Sequence, residues 1–392
     1  MKIVHLCLCG PMTDGLTYQE NLLTKFHKEL GHEVSIVASR YMYEKGKVSI
    51  DNRNRYYNSD GVKVIRLDNK FNTNINSKLK IYKGLYYSVD QENPDLIFVH
   101  GVQFLDILTI KRYIKNNPRV KLIIDNHADF SNSATNFISK FILHKILWKF
   151  MAKLISPYTV KFLGVLPARV EFLQKLYSIP ENKTELLLMG ADDNLVIKYS
   201  SSKVRDNIRK KLGISLNDFV IITGGKIDKA KQQVLTLMKA VNDLNNKDVK
   251  LIIFGSIDSD IEDKFFKLAN NVSIINVGWV NEEDSYQLFS ISDLAVFPGR
   301  HSVYWEQVAG IGKPMIVKYW KGTTHIDLGR NVLYLKDDSL VEMKKVLAKV
   351  INNDEIYSDM LTSATSNESK KFLYSNIAVQ SLKYCKSEVN NE

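Results

Sequence analysis

Three short stretches carry side chains whose types and spacing suit chemistry. The first is TGGKIDKAKQ, residues 223–232, where two glycines end an apolar run and three lysines follow. Glycine lets a backbone approach a ligand closely, and a helix start offers free amide hydrogens to an anion. Lys226 and Lys231 add positive charge at that point, and a helix is expected to begin near Lys231. The stretch therefore reads as a phosphate-binding turn, with a solvated lysine-rich turn as the plainer alternative. It is not a Walker loop, because the GxxxxGK[ST] spacing is absent. No GxGxxG follows the first apolar run either, which removes the usual dinucleotide dehydrogenase reading.

The second stretch is VFPGRHSVYWEQVAGIGKP, residues 296–314. A strand ends at Pro298, a turn carries Arg300, His301 and Ser302, and a helix follows with Glu306 in its first turns. A carboxylate there is favourable with the helix dipole, and it can also accept hydrogen bonds from ribose or sugar hydroxyls. The third stretch is IIDNHADF, residues 123–130, which sets His127 and Asp129 at the end of a buried strand. A lone histidine is usually structural, but a strand terminus is where cleft residues sit in open α/β sheets. Asp258-Ser259-Asp260 matches the D-x-D of metal-dependent sugar transferases, yet reads better as the opening of a helix. No G-x-S-x-G elbow and no zinc-spaced His/Cys cluster is present.

These residues need a scaffold that holds strand ends still. The chain has 392 residues, 45% hydrophobic and 25% charged, which is globular composition and enough for two domains. Short β-rich runs alternate with helical patterns, as in parallel-sheet α/β proteins. KIVHLCLC is a strand, GPMTDGL a turn, and a helix follows with Thr17 as cap and Glu20 completing a capping box. Further strands are expected from Glu33, Val62, Asp95, Lys121, Val160 and Glu185, with residues 40–60 as a loop excursion. Residues 192–206 read as a linker. A second series of strands starts at Phe219, Val249, Val272, Leu294 and Pro314, and an amphipathic helix is expected over 368–387. The expected division is 1–195, 196–367 and a C-terminal helix over 368–392 that packs back on the first domain. Ligands of two such facing domains are expected in the cleft between them.

The net charge is +11, and the first 195 residues hold 27 basic against 19 acidic residues. No aromatic-interleaved recognition motif accompanies that excess, so nucleic acid is not an expected partner. Cys7 and Cys9 read as core filling, and three cysteines make no disulfide framework in a chain of this size. The N-terminal run is too short for a signal peptide, and no stretch is apolar enough to span a membrane. A cytoplasmic protein is expected. Residues 136–155, however, place Lys140, His144, Lys145, Lys149 and Lys153 along one helical stripe beside Trp148 and Phe150. Such a stripe suits peripheral attachment to an anionic membrane surface, at its inner face, although a solvated helix edge has the same pattern.

End to end, the chain resembles the retaining GT-B glycosyltransferases of glycosyltransferase family 4. Gly15 matches that family's N-terminal loop glycine, GHEVSIVAS the strand entry behind it, and His127 its cleft histidine. MGAD, ending at Asp192, resembles the close of the first domain. GGKIDKAK matches the phosphate clamp, with Lys231 on the family's lysine and Lys226 where arginine is usual. VGWV, ending at Val280, resembles the segment that contacts the base, and SDLAVFP leads into the glutamate motif. There the chain departs. Glu306 matches the second of two glutamates, but Pro298 stands where the first belongs, and a shortened loop puts Arg300-His301-Ser302 in its place.

The resemblance implies two facing Rossmann-like domains and retaining transfer of a sugar from a nucleotide-sugar, UDP-sugars ahead of GDP-sugars. The acceptor would be a glycan or lipid-linked molecule of surface polysaccharide assembly. No cofactor beyond the donor and no metal is implied. His127, Lys226, Lys231 and Glu306 are the expected catalytic residues. Gly15, Gly225, Val280, Arg300, His301, Ser302 and Tyr304 are the expected donor contacts. The missing glutamate leaves a second reading, a non-catalytic GT-B-like subunit that binds nucleotide or supports a partner transferase. A GT-B-like epimerase would share the clamp but needs carboxylates at the sugar that the sequence does not place.

Overall fold

A computed structural model describes residues 1–44, 47–71, 78–130 and 138–385. The chain divides into two compact units, Met1–Leu188 with the return from Ile377, and Met189–Asn376.

The strands of the first unit are β1 (Lys2–Cys7), β2 (Glu33–Ser39), β3 (Tyr41–Glu44), β4 (Lys47–Ile50), β5 (Arg55–Tyr57), β6 (Lys63–Leu67), β7 (Leu96–His100), β8 (Lys121–Asn126), β9 (Lys161–Gly164) and β10 (Thr184–Leu186). Eight form one sheet in the order β10-β9-β8-β7-β1-β2-β6-β5, parallel except for β5 against β6. β1, β7 and β8 are almost wholly buried, which is why they read as continuous apolar runs rather than alternating ones. β3 and β4 make a separate antiparallel hairpin, so the loop excursion expected over 40–60 is in fact three short strands. Their tyrosine-rich, half-exposed sequence hides the period-2 signal.

The second unit has β11 (Phe219–Gly224), β12 (Val249–Phe254), β13 (Ile274–Gly278), β14 (Leu294–Phe297), β15 (Met315–Lys318) and β16 (Val332–Leu335). They pair in the order β13-β12-β11-β14-β15-β16, all parallel. Strand order reverses at β11, whose neighbours are β12 and β14, and crossovers leave that point on opposite faces. Such a switch opens a crevice at the carboxyl ends of the strands. β1 occupies the same position in the first sheet, between β7 and β2.

Four local expectations need correction. The first helix runs Gln19–Glu29 from Tyr18, without a side-chain cap from Thr17. Asn21 instead donates to the Thr13 and Leu16 carbonyls at 2.8 and 2.9 Å, tying the preceding loop to the helix. The linker expected at 192–206 is two helices, Asp193–Tyr199 and Ser202–Lys211, capped by Asp192 and Ser201. Arg209 anchors the second, its buried guanidinium donating to the Ile291 and Asp218 carbonyls and to Asp293. The helix expected over 368–387 is instead a 3-10 turn Asn367–Phe372, a helix Tyr374–Ser381 and a turn Lys383–Cys385, with residues 386–387 outside the described residues. The return onto the first unit is as expected. Ser381 meets His27 of the first helix at 2.8 Å, and Lys121 donates to the Tyr384 and Cys385 carbonyls. Finally, the helix after the lysine turn starts at Gln233, with Lys231 closing a 3-10 turn before it.

The basic stripe is also narrower than its sequence suggests. His144 is buried, its Nδ1 2.7 Å from the Tyr177 hydroxyl, and Trp148 is buried in the core. Lys145, Lys149 and Lys153 remain at or near the surface with exposed Ile146 and Phe150, while residues 136–137 lie outside the described residues, as does the side chain of Lys140. Among the described residues, no helix is long and apolar enough to cross a membrane.

Candidate active site

At the switch point of the second sheet, the end of β11 meets the turn after β14. Gly225 has φ +110°, and a Cβ there would meet the Tyr304 ring at 3.6 Å and Lys231 Nζ at 3.8 Å. The glycine thus leaves open the space that the amine and the ring border. Gly224 is required for a different reason, since a Cβ on it would strike the Phe254 ring at 2.3 Å. Lys231 is held by its turn, its amide bonded to the Asp228 carbonyl at 2.9 Å. Its stem runs along Gly299, whose carbonyl takes the Trp320 indole N–H at 3.3 Å. Burial lowers the Lys231 amine, with Asp228 opposing the shift. A half-desolvated ammonium gains most from an incoming anion.

Next to this turn lies the helix Tyr304–Ile311, with Glu306 fully buried. One carboxylate oxygen, Oε1, accepts from His301 Nε2 and from His325 Nε2, both at 2.7 Å. Burial alone would raise this carboxyl, but the two histidines outweigh it and hold it down at about 2. Oε2 is buried without a hydrogen-bond partner among the described residues, as is His325 Nδ1. Glu306 is therefore a buried anion engaged by two imidazoles, with its second oxygen unsatisfied. His325 was not anticipated. It lies 19 residues downstream on the short turn Thr324–Ile326, and no spacing in the sequence connects it to Glu306.

The other expected donor contacts divide. His301, Ser302 and Tyr304 are half-buried around the start of the helix, whereas Arg300 is exposed. Lys226 is 65% exposed, with its amine 3.8 Å from the Asp228 carboxylate. Val280 follows β13, the edge strand, two strands away from β11. Asp258 caps its helix by accepting from the Asp260 amide, and Asp260 pairs with Lys229, as the helix-opening reading of D-x-D requires.

In the first unit, Gly15 takes φ +73° in the loop after β1. His127 follows β8 with its Nε2 3.2 Å from Asp125 Oδ2, and the same oxygen accepts from His100 Nδ1 at 2.7 Å. Asp129 does not join them, since it pairs with Arg169 at 3.2 Å. Asp125, His100 and His127, like Glu306, His301 and His325, are close enough to share a cation. In both sets, however, one carboxylate oxygen already meets two imidazoles.

Residues 204–311 match the model of the family described as glycosyl transferases group 1. The chain carries a glycosyl transferases group 1 domain. That match spans the lysine turn, β14 and Glu306 of the second unit. No curated protein matches the chain in sequence. The fold is shared with sucrose-phosphate synthase from Thermosynechococcus elongatus, at TM-score 0.69 and 13% identity over 96% of either chain. A glycosyltransferase from Rickettsia africae gives 0.67 and 14%, over 98% of this chain and 99% of that one. Anabaena HepE, in complex with UDP-glucose, gives 0.66 and 16% over the same shares. The architecture is thus GT-B, two Rossmann-like domains, with the glycosyl transferases group 1 match lying in the second.

Proposed function

We propose that this glycosyltransferase moves a sugar from a nucleotide-sugar, UDP-linked, to a glycan or lipid-linked acceptor of surface polysaccharide assembly, with retention of configuration. The observation that carries the donor assignment is the Lys231 amine, half-buried beside Gly225 and Tyr304 at the switch point of the second sheet. Charge grows on the leaving diphosphate as the glycosidic bond breaks, and a positioned cation stabilises that charge. Glu306, with Oε2 unsatisfied, suits a ribose hydroxyl as its missing partner. The UDP-glucose held by the Anabaena relative supports UDP over GDP. His127 orients the donor sugar rather than acting as a nucleophile, and the first domain receives the acceptor. The acceptor hydroxyl attacks on the face the diphosphate leaves, passing its proton to that diphosphate.

The test is a thermal-shift panel of UDP, GDP, UDP-glucose and other nucleotide-sugars, since a ligand of the folded state raises stability by RT ln(1 + [L]/Kd). A shift with UDP and UDP-sugars only is expected, and no shift with any nucleotide would sink the reading. Transfer should persist in excess chelator, and its loss would reopen the case for Asp258 and Asp260. The rival reading, a non-catalytic nucleotide-binding subunit, draws on the occupied Oε1 of Glu306 and the absent first glutamate. Binding of UDP-sugars with neither transfer nor hydrolysis would favour it.

A cytoplasmic protein attached to the inner face of the membrane fits a lipid-linked acceptor. Lys145, Lys149 and Lys153 beside exposed Ile146 and Phe150 are the groups that support it. Each lysine near an anionic surface contributes about 1 kcal/mol. Sedimentation with anionic vesicles at low salt should therefore be lost in the Lys145→Glu/Lys149→Glu/Lys153→Glu variant. Equal recovery of wild type and variant in the supernatant would leave the stripe a solvated edge.

A further inference from the structure

Half of the chain's 8 histidines lie in one line of contacts through the first domain. Ser381 Oγ is 2.8 Å from His27 Nε2, His27 Nδ1 is 3.0 Å from His5 Nε2, and His5 Nδ1 is 3.0 Å from His100 Nε2. His100 Nδ1 then donates to Asp125 Oδ2 at 2.7 Å, and His127 Nε2 stands 3.2 Å from the same oxygen. His5, His27 and Asp125 are fully buried. His5, His27, His100 and Ser381 have no part in the transfer step itself.

The contacts can be counted for protons. Each nitrogen–nitrogen contact holds one proton, and His100 Nδ1 must carry one to meet the ionised Asp125. What remains open is the far end. Ser381 Oγ has two acceptors within 2.8 Å, His27 Nε2 and the Ala378 carbonyl, and only one hydrogen to give. If it donates to His27, then His27, His5 and His100 are each neutral with the proton on Nδ1. If it donates to Ala378, His27 must supply the hydrogen through Nε2. Every contact upstream then reverses, and His100 carries protons on both nitrogens against Asp125. The two states differ by one proton taken from water. In passing between them His5 and His27 exchange tautomer without becoming charged.

We propose that Ser381, His27, His5, His100 and Asp125 form a one-proton relay that positions His127 and sets how much of the Asp125 charge it faces. The relay rests on the reading of His127 as a donor-orienting group only for its catalytic consequence. When His100 is imidazolium, Asp125 is neutralised and His127 meets little net charge. When His100 is neutral, His127 is the group that the carboxylate holds. Buried single-file contacts favour this arrangement, because an unpaired imidazole nitrogen away from water is costly. Other groups facing the line are His32 beside His27, with the Met1 amino group at its Nδ1, and Glu20 toward His100. The Cys7 and Cys9 thiols also face Asp125, and burial keeps both protonated. Burial keeps His5 and His27 neutral, while Asp125 and Glu20 outweigh burial at His100 and raise it.

The test uses the full chain with 15N-labelled histidine, followed by long-range proton–nitrogen correlation from pH 8.5 to 5.5. The expected result is a single midpoint at which His100 gains its second proton while His5 and His27 pass together from Nδ1–H to Nε2–H. His5 and His27 holding one tautomer throughout, or titrating separately, would overturn the relay. Ser381→Ala leaves the Ala378 carbonyl to accept from His27, so the midpoint should rise by half a unit or more. Ser381→Thr keeps the hydroxyl and should restore the wild-type midpoint. Transfer kinetics supply the second readout. In Ser381→Ala and in His5→Gln, whose amide cannot pass a proton on, the pH limb of kcat should move by a similar amount with donor KM unchanged. An unmoved limb in both variants overturns the link to His127. A wild type that exchanges tautomers but transfers no sugar supports the relay and counts against the transferase reading instead.

Discussion

In each domain a buried carboxylate has two imidazoles on one of its oxygens, yet the two groups are built for different ends. In the first domain Asp125 joins a line that continues through His5 and His27 to the C-terminal helix. In the second, Glu306 closes on His301 and His325 and goes no further, since His325 Nδ1 and Glu306 Oε2 have no hydrogen-bond partner among the described residues. The first arrangement transmits, and the second waits for a missing partner. The same local chemistry acquires its role from what the tertiary fold attaches to its free ends.

The largest expected effect tests the open end of the second domain. Lys231→Ala should slow transfer by about 30- to 1,000-fold, the equivalent of about 2–4 kcal/mol, with donor affinity falling far less. Wild-type turnover in that variant would remove the phosphate assignment. Next, Asp125→Asn and Glu306→Gln should each destabilise the fold, by about 3 kcal/mol, because each leaves buried imidazoles facing a neutral amide. Only Glu306→Gln should also weaken UDP, measured by calorimetry. Equal UDP affinity in both variants would make the two carboxylates alike and take Glu306 out of the donor site.

Acid should separate the domains in the same way. Burial holds His27 down at about 3 and His144 at about 4, and lowers His5 well below its usual range. The unfolded chain binds these protons first, so the first domain loses stability as pH falls below about 6.5. His100 is raised, so its contribution is complete below about 6.5 and is lost only as pH rises. Glu306 is depressed to about 2, so its contribution is present above about 4.3 and is lost between there and about 2. Hydrogen exchange between pH 7 and 4.5 should therefore open strands β1 and β7 before β11 and β14. Simultaneous opening would show that the histidine line is not the acid-labile element. The smallest effect contrasts the two lysines of the clamp. Lys226 is largely exposed, so Lys226→Ala should cost a few-fold in rate, measured beside Lys231→Ala.

Much was readable from local pattern alone. The apolar runs of β1, β7, β8, β11, β12 and β14 announce strands buried on both faces, and two series of them announce two α/β units. Gly224-Gly225 before a lysine-bearing turn, and a carboxylate early in the helix after Pro298, are local statements that need no partner to be read. Residues 192–206 read as a linker because helices of 7 and 10 residues, held by caps and by the buried Arg209, are too short to display an apolar period. Thr17 has the pattern of a cap without being one, because a capping box in sequence says nothing of competing bonds and Asn21 ties the loop instead.

What sequence could not show is any contact whose partners are distant along the chain. His5 and His100 are 95 residues apart, and His27 and Ser381 are 354 apart. His325 meets Glu306 across 19 residues that carry no period. Secondary structure follows from local propensity and burial period, which a sequence displays directly. A hydrogen bond between side chains follows from strand order, register and the return of the last helix, and those are settled only when the whole chain packs.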